Sequence, residues 1–192
     1  MKKSTSIHAC ILAPSDARFL EHPRDLPAGG YDPASTVLLY PTADAVFLDD
    51  PRVDILAVRR VLVIESTWNK SDVVAAHPAL AGIRRVKIRE RESTFWRYQE
   101  LGKHFLSTLE AIYYICTEFQ QRKVAAEAEA KAAGNGAATV SAPLNIDDLM
   151  FFYAFQHSRI TERYKTNTNV PRSWSGGAPV AASAASANDA DA

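Results

Sequence analysis

The sequence predicts an α/β fold, a mainly parallel sheet with flanking helices, on three observations. Val37-Leu38-Leu39-Tyr40 and Val61-Leu62-Val63-Ile64 are short apolar runs of the kind buried on both faces of a parallel sheet. Arg85 to Arg89 alternates basic and apolar residues with the period of a half-buried strand. The stretches between these three are long enough for the crossovers that parallel strands require.

Taken in order, Ile7 to Leu12 reads as a short strand, and Pro14 to Pro33, rich in Pro, Asp and Gly, as a loop. The run at 37–40 ends at Pro41, which has no N–H to carry a ladder further, and Pro41-Thr42-Ala43-Asp44 reads as a turn. After 61–64 come Glu65-Ser66-Thr67-Trp68 and a helix from Trp68 to about His77, stopped by Pro78. From Arg84 to Lys103, seven basic residues (Arg84, Arg85, Lys87, Arg89, Arg91, Arg97, Lys103) outweigh three acidic ones (Glu90, Glu92, Glu100). Arg85, Lys87 and Arg89 share one side of their strand, which suits either an RNA backbone or a solvated edge protected from aggregation.

Phe105 to Gln121 reads as a helix, with Phe105, Leu109, Ile112, Cys116 and Phe119 spaced by threes and fours. Ser107-Thr108-Leu109-Glu110 has the form of a capping box at its start. A helix start also offers N–H donors and a positive dipole end to an anion. Val124 to Ala142 is dominated by Ala around Gly134-Asn135-Gly136 and reads as an insertion: its first half prolongs the helix, and its second half has too little to bury to stay ordered. Asn145 caps a last helix carrying Asp147 and Asp148 in its first turn, whose aromatic body (Phe151, Phe152, Tyr153, Phe155) reads as core. Residues 175–192, mostly Ala, Ser, Gly and Asp, read as a disordered tail.

Composition narrows the classes. With 192 residues, 47% of them hydrophobic, the chain suits one domain with a substantial core. Twenty-two basic and 22 acidic residues give a formal charge of zero, so any nucleic-acid surface must come from local clustering. Cys10 and Cys116 are too few for a disulfide framework or a four-cysteine zinc site, and the five histidines lack ligand spacing, so no metal is expected. No run reaches the roughly 18 apolar residues of a membrane span, and no secretory leader follows Met1, so a soluble, intracellular protein is expected, with no membrane partner. Neither a Gly-x-Gly-x-x-Gly nor a Walker lysine motif is present.

In open α/β sheets ligands bind at the carboxyl ends of the strands, where Glu65, Ser66, Thr67 and Trp68 stand after one strand and Tyr40 and Pro41 after another. The structural alternative is that Thr67 caps a helix and Trp68 packs on the sheet.

Glu65-Ser66-Thr67-Trp68 resembles the Asp-x-Thr-Trp signature of the DTW-domain family, the aminocarboxypropyltransferases that modify tRNA uridines. Lys3 to Ala9 is similar to that family's opening segment, Val37 to Pro41 to its first central strand and turn, and Phe95-Trp96-Arg97 with Phe105 to Tyr114 to its later block, which carries Ser-Thr-x-Glu-Ala. Leu149 to Phe155 is similar to its last helix. Order and spacing agree across most of Lys3 to Arg163, best with the first eukaryotic subgroup, so residues 1–165 are expected to form one DTW domain with the insertion at about 124–142. Two departures stand out. The family's aspartate is Glu65 here, which moves the carboxylate by about 1.5 Å on an unchanged backbone. The family's cysteine-rich leading segment lies ahead of the matched part, as expected of a chain shortened at its amino end.

The resemblance implies a fold similar to the knotted SPOUT-like RNA transferases, with S-adenosylmethionine as co-substrate and tRNA as partner. The implied reaction moves the 3-amino-3-carboxypropyl group to the ring imide nitrogen of a D-loop uridine. It also implies a nuclear location ahead of a cytoplasmic one. The chemistry of the residues then suggests roles. Glu65 is the candidate base, Thr67 orients it or the cofactor, and Trp68 walls the pocket or stacks on a ring. Tyr40, Pro41, Ser66, Ser107, Thr108 and Glu110 are the candidate cofactor contacts, with Glu110 paired to the amino group of the transferred chain. Arg85, Lys87, Arg89, Arg97 and Lys103 are the candidate RNA contacts. A catalytically weak RNA-binding relative and an RNA methyltransferase of similar fold remain open as alternatives.

Overall fold

The three predicted strand segments do pair as a parallel sheet. The computed structural model describes residues 5–66, 68–94, 104–134 and 146–166. They fall into two compact units, one of residues 17–66, 68–89 and 114–134, the other of 5–16, 90–94, 104–113 and 146–166.

The first of these holds the sheet. Strands β1 (Thr36–Leu39), β2 (Arg60–Val63) and β3 (Arg84–Val86) lie in the order β2-β1-β3, all parallel, with Leu38 level with Leu62 and Arg85. β1 is central and buried on both faces: Val37 is 3% and Leu38 1% exposed. On one face Val37, Leu39, Val61 and Val86 pack with Val46, Leu48, Ile55 and Val58, and with Ile115, Cys116, Phe119 and Ala126 of α3 (Thr108–Ala132). On the other, Leu38, Tyr40, Leu62 and Ile64 pack with Tyr31, Leu80 and Ile83. This is an α/β arrangement, and each face of the sheet buries what the period-two alternation assigns to it.

Helix α2 (Trp68–Ala75) starts where the sequence places it and ends two residues before His77, whose Nδ1 accepts from the N–H of Ala79 to cap a 3-10 turn, Pro78–Leu80. β3 stops at Val86, short of the expected Arg89. The last bond from the β1 side is Tyr40 N–H to Val86 O at 3.0 Å; the next N–H that could face β3, that of Thr42, turns back to Tyr40 O at 3.0 Å. Nor is β3 a bare edge. After Pro41 the chain turns through Thr42 and Ala45 and returns along the outer side of β3, where Val46 pairs with Val86.

In the other unit, Ile7–Leu12 is a helix, α1, where a strand was expected. Six residues, five of them apolar, carry no period long enough to separate the two states, and packing against α4 (Asp148–Thr166) decides for the helix, with Ala9 buried and Ile11 63% exposed. α3 begins at Thr108, three residues after Phe105, and runs beyond Gln121 to Ala132, so the first half of the insertion does prolong it. Its first residues, to Tyr113, belong to this unit and the rest to the sheet unit. The second half of the insertion, the cap at Asn145 and the tail lie outside the described residues. The aromatic body of α4 is only partly core: Tyr153 is fully buried beside Leu149 and Met150, whereas Phe151 and Phe155, four apart on one side, are 64% and 57% exposed. The expectation of an aromatic core helix is corrected to that extent.

Candidate active site

Polar side chains stand at the carboxyl ends of β1 and β2. Tyr40 follows β1, and its ring packs with the apolar cluster of Leu38, Leu80 and Ile83. Its hydroxyl donates to Asp72 and lies 3.2 Å from Ser71 Oγ, both on α2, which ties the end of β1 to that helix. Burial, together with the bond to Asp72, raises the Tyr40 pKa, so the hydroxyl keeps its proton as a donor. The guanidinium of Arg85 lies over the same ring, 5.8 Å from its centroid.

Glu65 follows β2 after Ile64 and is half-buried. Its Oε2 is buried and has no hydrogen-bond partner among the described residues. Buried polar atoms are seldom left so, and a carboxylate oxygen with spare lone pairs is suited to accept a proton or hold a ligand donor. Ser66 and Pro41 are exposed on the same carboxyl side. Thr67 lies outside the described residues, and Trp68 opens α2 with its side chain outside them as well.

In the other unit the capping box closes as its sequence predicts. The backbone N–H of Ser107 donates to Glu110 Oε2 at 2.7 Å, and the N–H of Glu110 donates to Ser107 Oγ at 3.3 Å. Thr5 Oγ1 accepts from the N–H of Leu109 at 3.2 Å, so donors of the first turn that an anion was expected to use are engaged by protein oxygens. Glu110 is fully buried. Its oxygens also accept from Ser93 Oγ at 2.8 Å, from the Thr94 N–H at 2.8 Å and from Thr94 Oγ1 at 3.3 Å. Tyr153, also fully buried, has its pKa pushed up by burial and then by the Glu110 charge. His157, 5% exposed, has its pKa lowered by burial, with Glu110 opposing.

The basic residues divide. Arg85, Lys87 and Arg89 do lie on one side, against Tyr40 and Phe47, while Arg97 and Lys103 lie outside the described residues. Sequence reasoning missed Ser71 and Asp72 as partners of Tyr40, and Ser93 and Thr94 as partners of Glu110. Nothing local marks those pairs, since 31 and 32 residues separate the first and 16 and 17 the second. Among the described residues no group of three or more His, Cys, Asp or Glu is placed to hold a metal, and no helix is long and apolar enough to cross a membrane.

A parallel sheet with polar side chains collected at its carboxyl ends is the layout of an α/β ligand-binding protein. The DTW domain matches residues 2–161, and the chain belongs to that family. It is similar to proteins named tRNA-uridine aminocarboxypropyltransferase 1. With that of Xenopus tropicalis it shares 24% identity over 204 residues, which cover 85% of this chain and 64% of the relative. With that of Mus musculus it shares 27% over 200 residues, 82% and 60% of the two chains, and with that of Homo sapiens 30% over 115 residues, 59% and 33%. The chain thus spans less than two thirds of each of these relatives. No solved structure matches it.

Proposed function

We propose that the protein transfers the 3-amino-3-carboxypropyl group of S-adenosylmethionine to the ring imide nitrogen of a tRNA uridine in the D loop. Family membership supports the reaction class, and the observation that carries the reading is Glu65, a carboxylate at the end of a parallel strand with one oxygen buried and uncommitted among the described residues. The uridine imide gives its proton to Glu65, and its nitrogen forms a bond to the side-chain methylene beside the sulfonium. The carbon–sulfur bond breaks with its electron pair staying on sulfur, and methylthioadenosine leaves. The sulfonium supplies the activation, so the protein chiefly positions the reactants and takes the proton.

In this reading Thr67 orients the base or the cofactor, Trp68 walls the pocket or stacks on a ring, and Tyr40, Pro41 and Ser66 line the cofactor site, with Tyr40 steadied by Asp72. Ser107 and Thr108 are proposed as cofactor contacts at the start of α3. Glu110 is better suited to holding Ser93, Thr94 and Ser107 in place than to meeting an amino group, because protein donors already reach both of its oxygens. Arg85, Lys87, Arg89, Arg97 and Lys103 are proposed to meet tRNA phosphates, and the knotted fold of the related RNA transferases is part of the same reading.

Incubating purified protein with tRNA and S-adenosylmethionine tests it. Methylthioadenosine is the expected product. S-adenosylhomocysteine in its place identifies a methyltransferase, and tRNA binding with neither product identifies a binding relative, which the change from Asp to Glu65 favours.

A further inference from the structure

The return of the chain along β3 sets two short segments side by side. Val46 pairs with Val86 in parallel, with Val46 N donating to Arg85 O at 3.2 Å and Lys87 N donating to Val46 O at 2.9 Å. Beyond that bridge the alternation continues on both. Leu48 and Ile88 turn into the core, while Phe47 and Asp49 face Lys87 and Arg89. Lys87 Nζ stands 5.0 Å and Arg89 Cζ 5.3 Å from the centre of the half-buried Phe47 ring. A terminal nitrogen of Arg89 lies 2.6 Å from Asp49 Oδ2, and its backbone N–H donates to Glu118 Oε1 at 3.0 Å, which fixes the segment on α3.

We propose that this ribbon grips a single-stranded stretch of RNA, with Asp49 occupying on Arg89 the place of a backbone phosphate until RNA displaces it. The inference rests on the tRNA reading above. Both cations lie over the Phe47 ring and are held there by it, so the ribbon presents two phosphate contacts in fixed places, which a flexible single strand can bend its backbone to meet and a duplex, with its phosphates at set spacing, meets less well. The Arg89 and Asp49 side chains are 56% and 51% exposed, and such a pair is worth at most about a fivefold equilibrium factor, so a phosphate held by several contacts displaces the acid while an isolated anion gains little. Asp49 therefore lowers affinity and favours extended polyanions.

The test measures binding of a labelled single-stranded oligoribonucleotide, and of a duplex of equal length, across a salt series. Asp49→Asn is expected to tighten single-strand binding about two- to fivefold at low salt and to steepen the log–log salt slope by up to about 0.7. In an Arg89→Gln background the same change is expected to do nothing. Phe47→Leu is expected to weaken single-strand binding more than duplex binding. A silent Asp49→Asn beside a clear loss in Arg89→Gln overturns this inference alone, as does an Asp49→Asn gain that persists without Arg89. If Arg89→Gln and Lys87→Gln both leave RNA binding unchanged, the RNA face itself is wrong and the inference falls with it.

Discussion

Ser107 and Glu110 hold each other at the start of α3: the N–H of Ser107 donates to the Glu110 carboxylate at 2.7 Å, and the Glu110 N–H donates to Ser107 Oγ at 3.3 Å. With Ser93 and Thr94 also donating to that carboxylate, a fully buried acid joins a helix start to a segment 16 and 17 residues earlier. Glu110→Ala strands those donors and is expected to cost about 2–4 kcal/mol, read as a lowered urea midpoint. Glu110→Gln keeps the shape but sets an amide NH2 against the same donors, and is expected to recover only part of the loss. A midpoint unchanged in both variants contradicts the holding role.

Stability is expected to fall on mild acidification through His157. Burial lowers its pKa in the folded state, so near and below the ordinary value of 6.5 the unfolded chain binds the proton more readily. The sign follows: the contribution of this group is complete above pH 6.5 and is lost as pH falls toward the depressed folded value. His157→Gln, which cannot charge, is expected to flatten the fall in urea midpoint between pH 7.5 and 5.5. An equally steep fall in that variant assigns the pH dependence to other groups.

Replacing Lys87 and Arg89 together by Gln is expected to weaken tRNA binding and to lower the magnitude of the log–log salt slope by about 1.5, since each lost phosphate contact removes about 0.7–0.9. Affinity for S-adenosylmethionine is expected to be unaltered. A solvated strand with no RNA role leaves affinity and slope as they were.

The parts of this fold that were legible are those written in consecutive residues. Val37 to Tyr40 announces a buried parallel strand through composition alone; Val61 to Ile64 announces a parallel strand too, but at the edge of the described sheet its residues are only partly buried, where burial on both faces was expected; and Ser107 to Glu110 announces a helix start through spacing. The Ile7–Leu12 run misleads because six residues fit either period and the deciding contact, α4, lies more than 130 residues away. The single bridge between Val46 and Val86 is equally hidden, and with it the facing of Asp49 and Arg89. For the candidate site, the carboxyl-end positions of Tyr40 and Glu65 follow from the strands, but the anchoring of Tyr40 by Asp72 joins residues 32 apart and is marked by nothing local.

The central claim is that Glu65 takes the uridine proton, and single-turnover release of methylthioadenosine from S-adenosylmethionine in the presence of tRNA tests it most directly. The wild type is expected to release it. Glu65→Gln, which keeps the shape but loses the basicity, is expected to slow release at least about a hundredfold while cofactor affinity stays within a few fold. A Glu65→Gln rate close to that of the wild type contradicts the account.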